Sequence, residues 1–176
     1  MTTIIDQIEQ LYADKGCGQY GEAISQLQHA LQCAELARQA QASDEMVAAA
    51  LLHDIGHLLE DSDSEFGNVD ADRIGARFLA PYFSKQVCEP IRLHARAKRY
   101  LCSVEEHYFA TLSAASRYSL KLQGGLLEQD EIEDFRAEPF FPLAIKLRRW
   151  VEESKQPGLD AGCFSDYRAA LQQAML

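Results

Sequence analysis

A histidine and an aspartate stand side by side at His53-Asp54, directly after the apolar run Ala48-Ala49-Ala50-Leu51-Leu52. A helix that is otherwise buried thus ends in two ionisable groups, and burying either one without a partner costs several kcal/mol. Imidazole nitrogen and carboxylate oxygen together suit zinc, iron, manganese or nickel, and disfavour an all-oxygen calcium site. His29, on the preceding predicted helix, and His94, on a later one, can supply further nitrogens. His29, His53 and Asp54 make the two-histidine, one-carboxylate set of a facial triad, which leaves positions open for oxygen or substrate. Neighbours on a continuing helix point about 100° apart. Both residues of the doublet reach one ion only if the helix ends there, and Gly56 supplies a stop.

A second set of residues could hold an anion. His57 lies four residues after His53, and Lys98 four after His94, so each pair can share a helix face. Lys98 with Arg96 and Arg99 forms the dense basic cluster of the chain besides Arg148-Arg149. Such a cluster reads equally as a carboxylate-paired, solvated face or as an anion pocket beside a metal. His107, next to Glu105 and Glu106 on an amphipathic stretch, reads as a surface residue.

Composition narrows the functions open to these groups. The 176 residues suit one domain, residues 1–176, with one sizeable core. An excess of 27 acidic over 17 basic residues gives net −10, which excludes a nucleic-acid partner because phosphate backbones need a basic face. A small anion remains compatible if basic residues gather locally. No apolar run approaches the roughly 20 residues of a membrane span. The start Met1-Thr2-Thr3-Ile4-Ile5-Asp6 has no basic segment or cleavage site, so no signal peptide is expected. The five cysteines are scattered and never spaced CxxC, which points to reduced thiols and a cytoplasmic location.

The elements that must position the chemistry are helical. Ile4, Ile5, Ile8, Leu11 and Tyr12 recur at helical spacing before Gly16 and Gly18, and Ile24, Leu27, Ala30, Leu31, Ala34 and Ala37 mark a second helix. Ser43-Asp44-Glu45 caps a third, from Met46 to about His53. Glu60-Asp61-Ser62-Asp63-Ser64-Glu65 reads as a solvated acidic loop. Ile74, Phe78 and Leu79 mark a helix before Pro81. Ser84 opens the helix carrying Val87, Ile91, His94 and Lys98, with Pro90 tolerated near its start or at a kink. Ser103-Val104-Glu105-Glu106 has the form of a capping box for a helix ending before Gly124-Gly125. Glu128 to Arg136, Leu143 to Glu153, and a last segment capped by Ser165 with Tyr167, Leu171 and Met175 on one side complete the set. No strand pattern persists, and the fold class is all-α.

Longer strings carry a resemblance. The His…His-Asp arrangement is similar to that of the HD-domain superfamily of metal-dependent phosphohydrolases. The runs from Gly21 to Ala34, Ala49 to His57, His94 to Leu101, Ser113 to Arg117 and Gln123 to Gly125 resemble the HD-domain di-iron oxygenases of organophosphonate catabolism, cousins of myo-inositol oxygenase. The likeness runs from about Tyr20 to Tyr167. It implies an HD-domain helical bundle with iron as cofactor. It also implies an O2-dependent reaction that breaks the C–P bond of a 1-hydroxyalkylphosphonate to give a carboxylic acid and phosphate. His29 and His53 then match ligands of one iron, Asp54 the bridging carboxylate, and His94 a ligand of the second. Glu22 matches a glutamate that guards the second iron. The family's companion tyrosine is displaced by a residue, with Gln19 in its place and Tyr20 beside it. His57, Lys98, Ser116 and Arg148 match positions that hold the phosphonate, and Gln123 one near its amino end.

Two ligand positions of that family differ here. The histidine four residues before the glycine of its Ile-Gly-Ala motif is Ala71, and the aspartate after the tryptophan of its Arg-x-Trp motif is Val151. Neither side chain has a lone pair to offer a metal. Three readings stay open on the sequence: an oxygenase with two irons whose site is completed by Asp70, Asp72, Glu152 or water; a phosphonate- or phosphate-binding descendant with one metal or none; and a one-metal enzyme using His29, His53 and Asp54, either a hydrolase or a mononuclear oxygenase.

Overall fold

The structure is a computed structural model that describes residues 1–60 and 65–176; the central part of the acidic run, 61–64, lies outside the described residues. The described residues form eleven α-helices and one 3-10 turn, with no strand beyond a single bridge between Phe83 and Met175. The expected all-α bundle is what the chain adopts.

The helix ahead of the doublet, α3 (Asp44–Leu52), is the hub. Every residue from Met46 to Leu52 is buried, as a helix apolar on all sides must be. Around it pack α2 (Gln26–Gln39), α6 (Lys85–Val104), α10 (Phe141–Glu153) and α11 (Arg168–Ala174). The Ser43 hydroxyl accepts from Met46 N, and Ser25 forms a reciprocal capping box with Gln28 at the start of α2. The first core spans α1 (Ile4–Lys15), α2, α3, the first half of α6 and α11. A second core lies on the other side of α6, where Tyr100, Phe135 and Phe141 pack with ring centroids 5.1–5.5 Å apart. Helix α6 therefore runs between two apolar clusters, and His94 and Lys98, one turn apart, sit on it.

The chain does not turn sharply after α3. His53 and Ile55 keep right-handed helical dihedrals, and the bonds Ile55 N to Leu52 O, His57 N to Asp54 O and Leu58 N to Ile55 O tighten the path to a three-residue repeat. Helix α4 (Gly56–Leu59) follows and packs on α5 (Ala71–Leu79). A Cβ on Gly56 would lie 1.9 Å from the Ala71 carbonyl oxygen, so this close approach needs glycine.

Three local expectations are corrected. Ser103 caps nothing: α6 runs through it to Val104, its Oγ donates to Arg99 O and accepts from Leu127 N, and Ser113 caps α8 (Ala114–Leu122) instead. A tertiary partner for the hydroxyl outweighed the local motif. Ser165 lies inside the 3-10 turn Phe164–Tyr167, which starts at Cys163, and Met175 has left the final helix to bridge Phe83. Ile24 is buried but precedes α2. Pro90 stands in the second turn of α6, which continues past it with one backbone bond fewer. Gly56→Ala should lower unfolding stability by roughly 1–3 kcal/mol in urea titrations; an unchanged midpoint would show that α4 and α5 separate at no cost.

Candidate metal centre and anion pocket

The end of α3, the start of α2 and the middle of α6 bring three imidazoles around one carboxylate. Asp54 Oδ2 lies 3.3 Å from His53 Nε2 and 3.6 Å from His29 Nε2, while Oδ1 lies 3.6 Å from His94 Nε2 and 3.9 Å from His57 Nε2. The two oxygens of Asp54 thus face different histidines. Among the described residues, His29, His53 and Asp54 form a group whose ligand atoms all lie within 4.8 Å of one another.

Hydrogen bonds on the far ring nitrogens sort the histidines by chemistry. A carbonyl oxygen can only accept, so the nitrogen facing it carries the hydrogen. His29 Nδ1 faces Ser154 O at 2.8 Å, His53 Nδ1 faces Ala50 O at 2.8 Å, and His94 Nδ1 faces Ile91 O at 2.6 Å. Each neutral ring therefore turns an Nε2 lone pair toward Asp54, with the outer partner that orients a metal-binding histidine. His57 is the opposite case. Asn68 N donates to its Nδ1 at 3.1 Å, so Nε2 carries the hydrogen and His57 is a donor. Gly67 permits this contact, since its φ is +79° and a Cβ there would lie 2.3 Å from His57 Nδ1. Tyr20, itself at φ +47°, stacks on His57 with centroids 5.2 Å apart and donates its hydroxyl to His57 O.

The ligand cluster demands a cation. His29 Nε2 and His53 Nε2 are 3.1 Å apart in a fully buried site, and two lone pairs facing each other at that distance repel. A proton or a metal resolves this. Burial opposes charge on His53, but Asp54 and the Cys33 sulfur outweigh it and carry its pKa up to about 10. Burial and the His53 charge push His29 down to about 3. Burial also works against the Asp54 carboxylate, yet the charge on His53 holds it well below its ordinary range. Without metal, one proton is held on His53 between His29 and Asp54. The donor set fits a divalent transition metal in its place.

Of the residues singled out from the sequence, Tyr20, Glu22, His29, Asp54, His57 and His94 line one cavity of about 90 Å³, together with Lys98, Ser116, Gln123 and Arg148; His53 lies fully buried behind them. Lys98 Nζ reaches Ser119 Oγ at 2.5 Å, and Arg148 donates to Tyr108 Oη, Ser116 Oγ and Glu152. Gln123 donates to Val69 O, and its Oε1 is buried with no hydrogen-bond partner among the described residues. The basic clusters split as helical spacing requires. Arg96 pairs with Glu138, Arg99 bonds Gly125 O, and Arg149 pairs with Glu105, so each contributes only its central or flanking partner to the cavity. His107 is exposed. Burial, then Arg148 and Lys155, lower the Lys98 pKa to about 7.

Ala71 and Val151 are buried and line this same cavity. Of the carboxylates that might compensate, Asp70 is exposed and paired with Arg73, and Glu152 is held by Arg148 and Lys155. Asp72 alone of the three lines the cavity, where burial raises its pKa. Lys155, which the sequence did not single out, stands in the wall with contacts to Glu22, Ser113, Ser116 and Glu152.

Residues 27–114 match the HD-domain family model. The chain is 43% identical to a hydroxymethylphosphonate dioxygenase of Gimesia maris, across 97% of this chain and 88% of that protein. It is 33% identical, across 97% of this chain and 89% of the relative, to the glycine-betaine-forming [1-hydroxy-2-(trimethylamino)ethyl]phosphonate dioxygenase of Leisingera caerulea. An uncharacterized protein of Acanthamoeba polyphaga mimivirus shares 34% identity across 86% of this chain and 72% of its own length. His29→Ala or His53→Ala should reduce bound metal, by elemental analysis, at least tenfold, whereas His57→Gln should keep it; metal loss in His57→Gln would reverse the tautomer assignment. The full-length likeness and the His-His-Asp cluster agree: this chain belongs to the HD-domain family of phosphonate oxygenases.

Proposed function

We propose that this chain is an iron-dependent oxygenase that converts a 1-hydroxyalkylphosphonate and O2 into a carboxylic acid and phosphate. One observation carries the reading: lone pairs of His29, His53 and His94 converge on Asp54 in the same cavity where Lys98, Arg148 and the Nε2–H of His57 provide anion donors. A substrate with a phosphonate at one end and a carbon to be oxidised next to it needs both halves in one cavity.

His29, His53 and Asp54 would hold one iron, and His94 with the other Asp54 oxygen would begin a second site. Iron there would supply the redox chemistry with O2 that the reaction requires. The chain's own groups do the rest. Arg148 and Lys98 neutralise the phosphonate, with Ser116 and His57 donating hydrogen bonds to its oxygens. Glu22, at the cavity wall, is placed to meet the C1 hydroxyl or to guard the second metal position. The Gln123 Oε1 acceptor, without a partner among the described residues, would meet a donor at the far end of the substrate. Burial of Lys98 and Arg148 excludes water and strengthens each contact.

A second reading has its own support. Ala71 and Val151 leave each metal position one protein ligand poorer than in the family pattern, and among the described residues His29, His53 and Asp54 form the group whose ligand atoms all lie within 4.8 Å of one another. That favours a single metal, in a mononuclear oxygenase, a phosphohydrolase or a binding protein. Asp72 is the carboxylate best placed to extend the His94 side.

Incubation of iron-loaded protein with hydroxymethylphosphonate should consume O2 and release phosphate in equal amounts. Phosphate release from a phosphate monoester without O2 uptake would favour the hydrolase, and ligand-induced stabilisation without turnover the binding protein. Ala71→His with Val151→Asp should raise iron from about one to about two per chain; an unchanged content would remove those positions from the metal site. Anion binding needs the charged form of Lys98, so affinity should be greatest below about pH 7 and fall as pH rises through it. Lys98→Arg should flatten that profile in calorimetry, and an identical profile in both proteins would assign the titration to another group.

A further inference from the structure

Lys155 stands just beyond the end of α10, with its ammonium near more oxygens than it has hydrogens. Its Nζ lies 2.9 Å from Glu22 Oε1, 2.8 Å from Glu152 Oε2, 2.9 Å from Ser116 Oγ and 3.1 Å from Ser113 Oγ. An ammonium has three hydrogens to distribute, so these bonds compete. The partners differ in how firmly they are otherwise held. Glu152 also accepts from Arg148 at 3.0 Å, on a buried stretch of α10. Glu22 sits in the irregular segment between α1 and α2, where it accepts from Ser113 Oγ at 2.7 Å. Ser116, in turn, is shared between Lys155 and Arg148 and opens on the cavity.

The geometry points to Lys155 as the link between anion binding and the position of Glu22: an anion seated on Ser116 and Arg148 draws the Lys155 ammonium to its own oxygens and releases Glu22. The inference rests on the phosphonate-pocket reading above. An added dianion outcompetes a monoanionic carboxylate for a shared ammonium, and Glu152 keeps its Arg148 partner while Lys155 shifts. Glu22 loses its charged partner and becomes free to turn toward the substrate hydroxyl or the metal. Lys155 is thus a cavity cation and, through Glu22, a positioning residue.

Coupling of this kind is measured by a double-mutant cycle with inorganic phosphate as the probe, by calorimetry on the full chain at matched metal content. Lys155→Met should weaken phosphate binding about tenfold, and Lys155→Arg should restore most of it. Glu22→Gln should tighten phosphate roughly fivefold in the unaltered background and less than about twofold in Lys155→Met. An equal effect of Glu22→Gln in both backgrounds, or full affinity in Lys155→Met, overturns the link while leaving the pocket intact. Absence of phosphate binding by the unaltered protein overturns the pocket reading and the link with it. Crystal structures with and without phosphate test the same point free of any substitution. The Lys155–Glu22 contact should lengthen beyond hydrogen-bond reach when phosphate is bound, and an unchanged contact counts against the inference.

Discussion

The 3.1 Å approach of the His29 and His53 Nε2 atoms is the contact on which the rest of the molecule depends. Two neutral imidazoles that donate their other nitrogen to a backbone carbonyl cannot also satisfy each other, and at this depth no solvent can intervene. The interaction persists because it has a charge to share and a carboxylate, Asp54, to balance it. The surrounding helices keep that cluster aligned. The all-apolar surface of α3 is buried by α2, α6, α10 and α11, and the backbone carbonyls of Ala50, Ile91 and Ser154 fix the three rings. The fold is a support for imidazoles whose orientation is set before a metal arrives, which lowers the reorganisation that binding requires.

The anion wall follows a different electrostatic logic. In a chain of net −10, an anionic substrate meets a repulsive average field, so attraction has to be concentrated. Arg148 is buried and stays charged because Tyr108 and Glu152 support it. Lys98 is equally buried, bonds the Ser119 hydroxyl, and has its pKa lowered to about 7 by burial and by the nearby Arg148 and Lys155 charges. Arg148 therefore stays charged, while Lys98, with its pKa near 7, loses its charge as pH rises through neutrality. Glu152 pairs with both Arg148 and Lys155, and Glu22 with Lys155, which completes the set of charges in the wall.

The substitutions at Ala71 and Val151 acquire a physical meaning from their placement. Both are buried and line the cavity, and neither side chain has a lone pair to offer a metal there. Asp70 and Glu152, adjacent in sequence to positions that would need replacing, point elsewhere and are committed to Arg73, Arg148 and Lys155. Adjacent residues on a helix diverge by about 100°, and that divergence separates Asp72 from its neighbours as the carboxylate that reaches the cavity.

By itself the sequence determined the helical class, most helix positions and the identity of the central doublet, because apolar periodicity and capping are local and His53-Asp54 interrupts an apolar run. It also named the ten residues that share the cavity and the one buried behind it, since the family strings mark them by type and spacing. Only the tertiary structure decided which of them are donors and which are acceptors. His29 and His57 are alike in sequence, and the difference lies in whether a carbonyl or an amide meets Nδ1. Ser103 looked like a cap until Leu127 N, 24 residues away, claimed its oxygen. Lys155 had no periodicity to distinguish it from a solvated surface lysine. Its importance comes from Glu22, 133 residues distant, and contacts between residues so far apart in the chain exist only once the helices have packed.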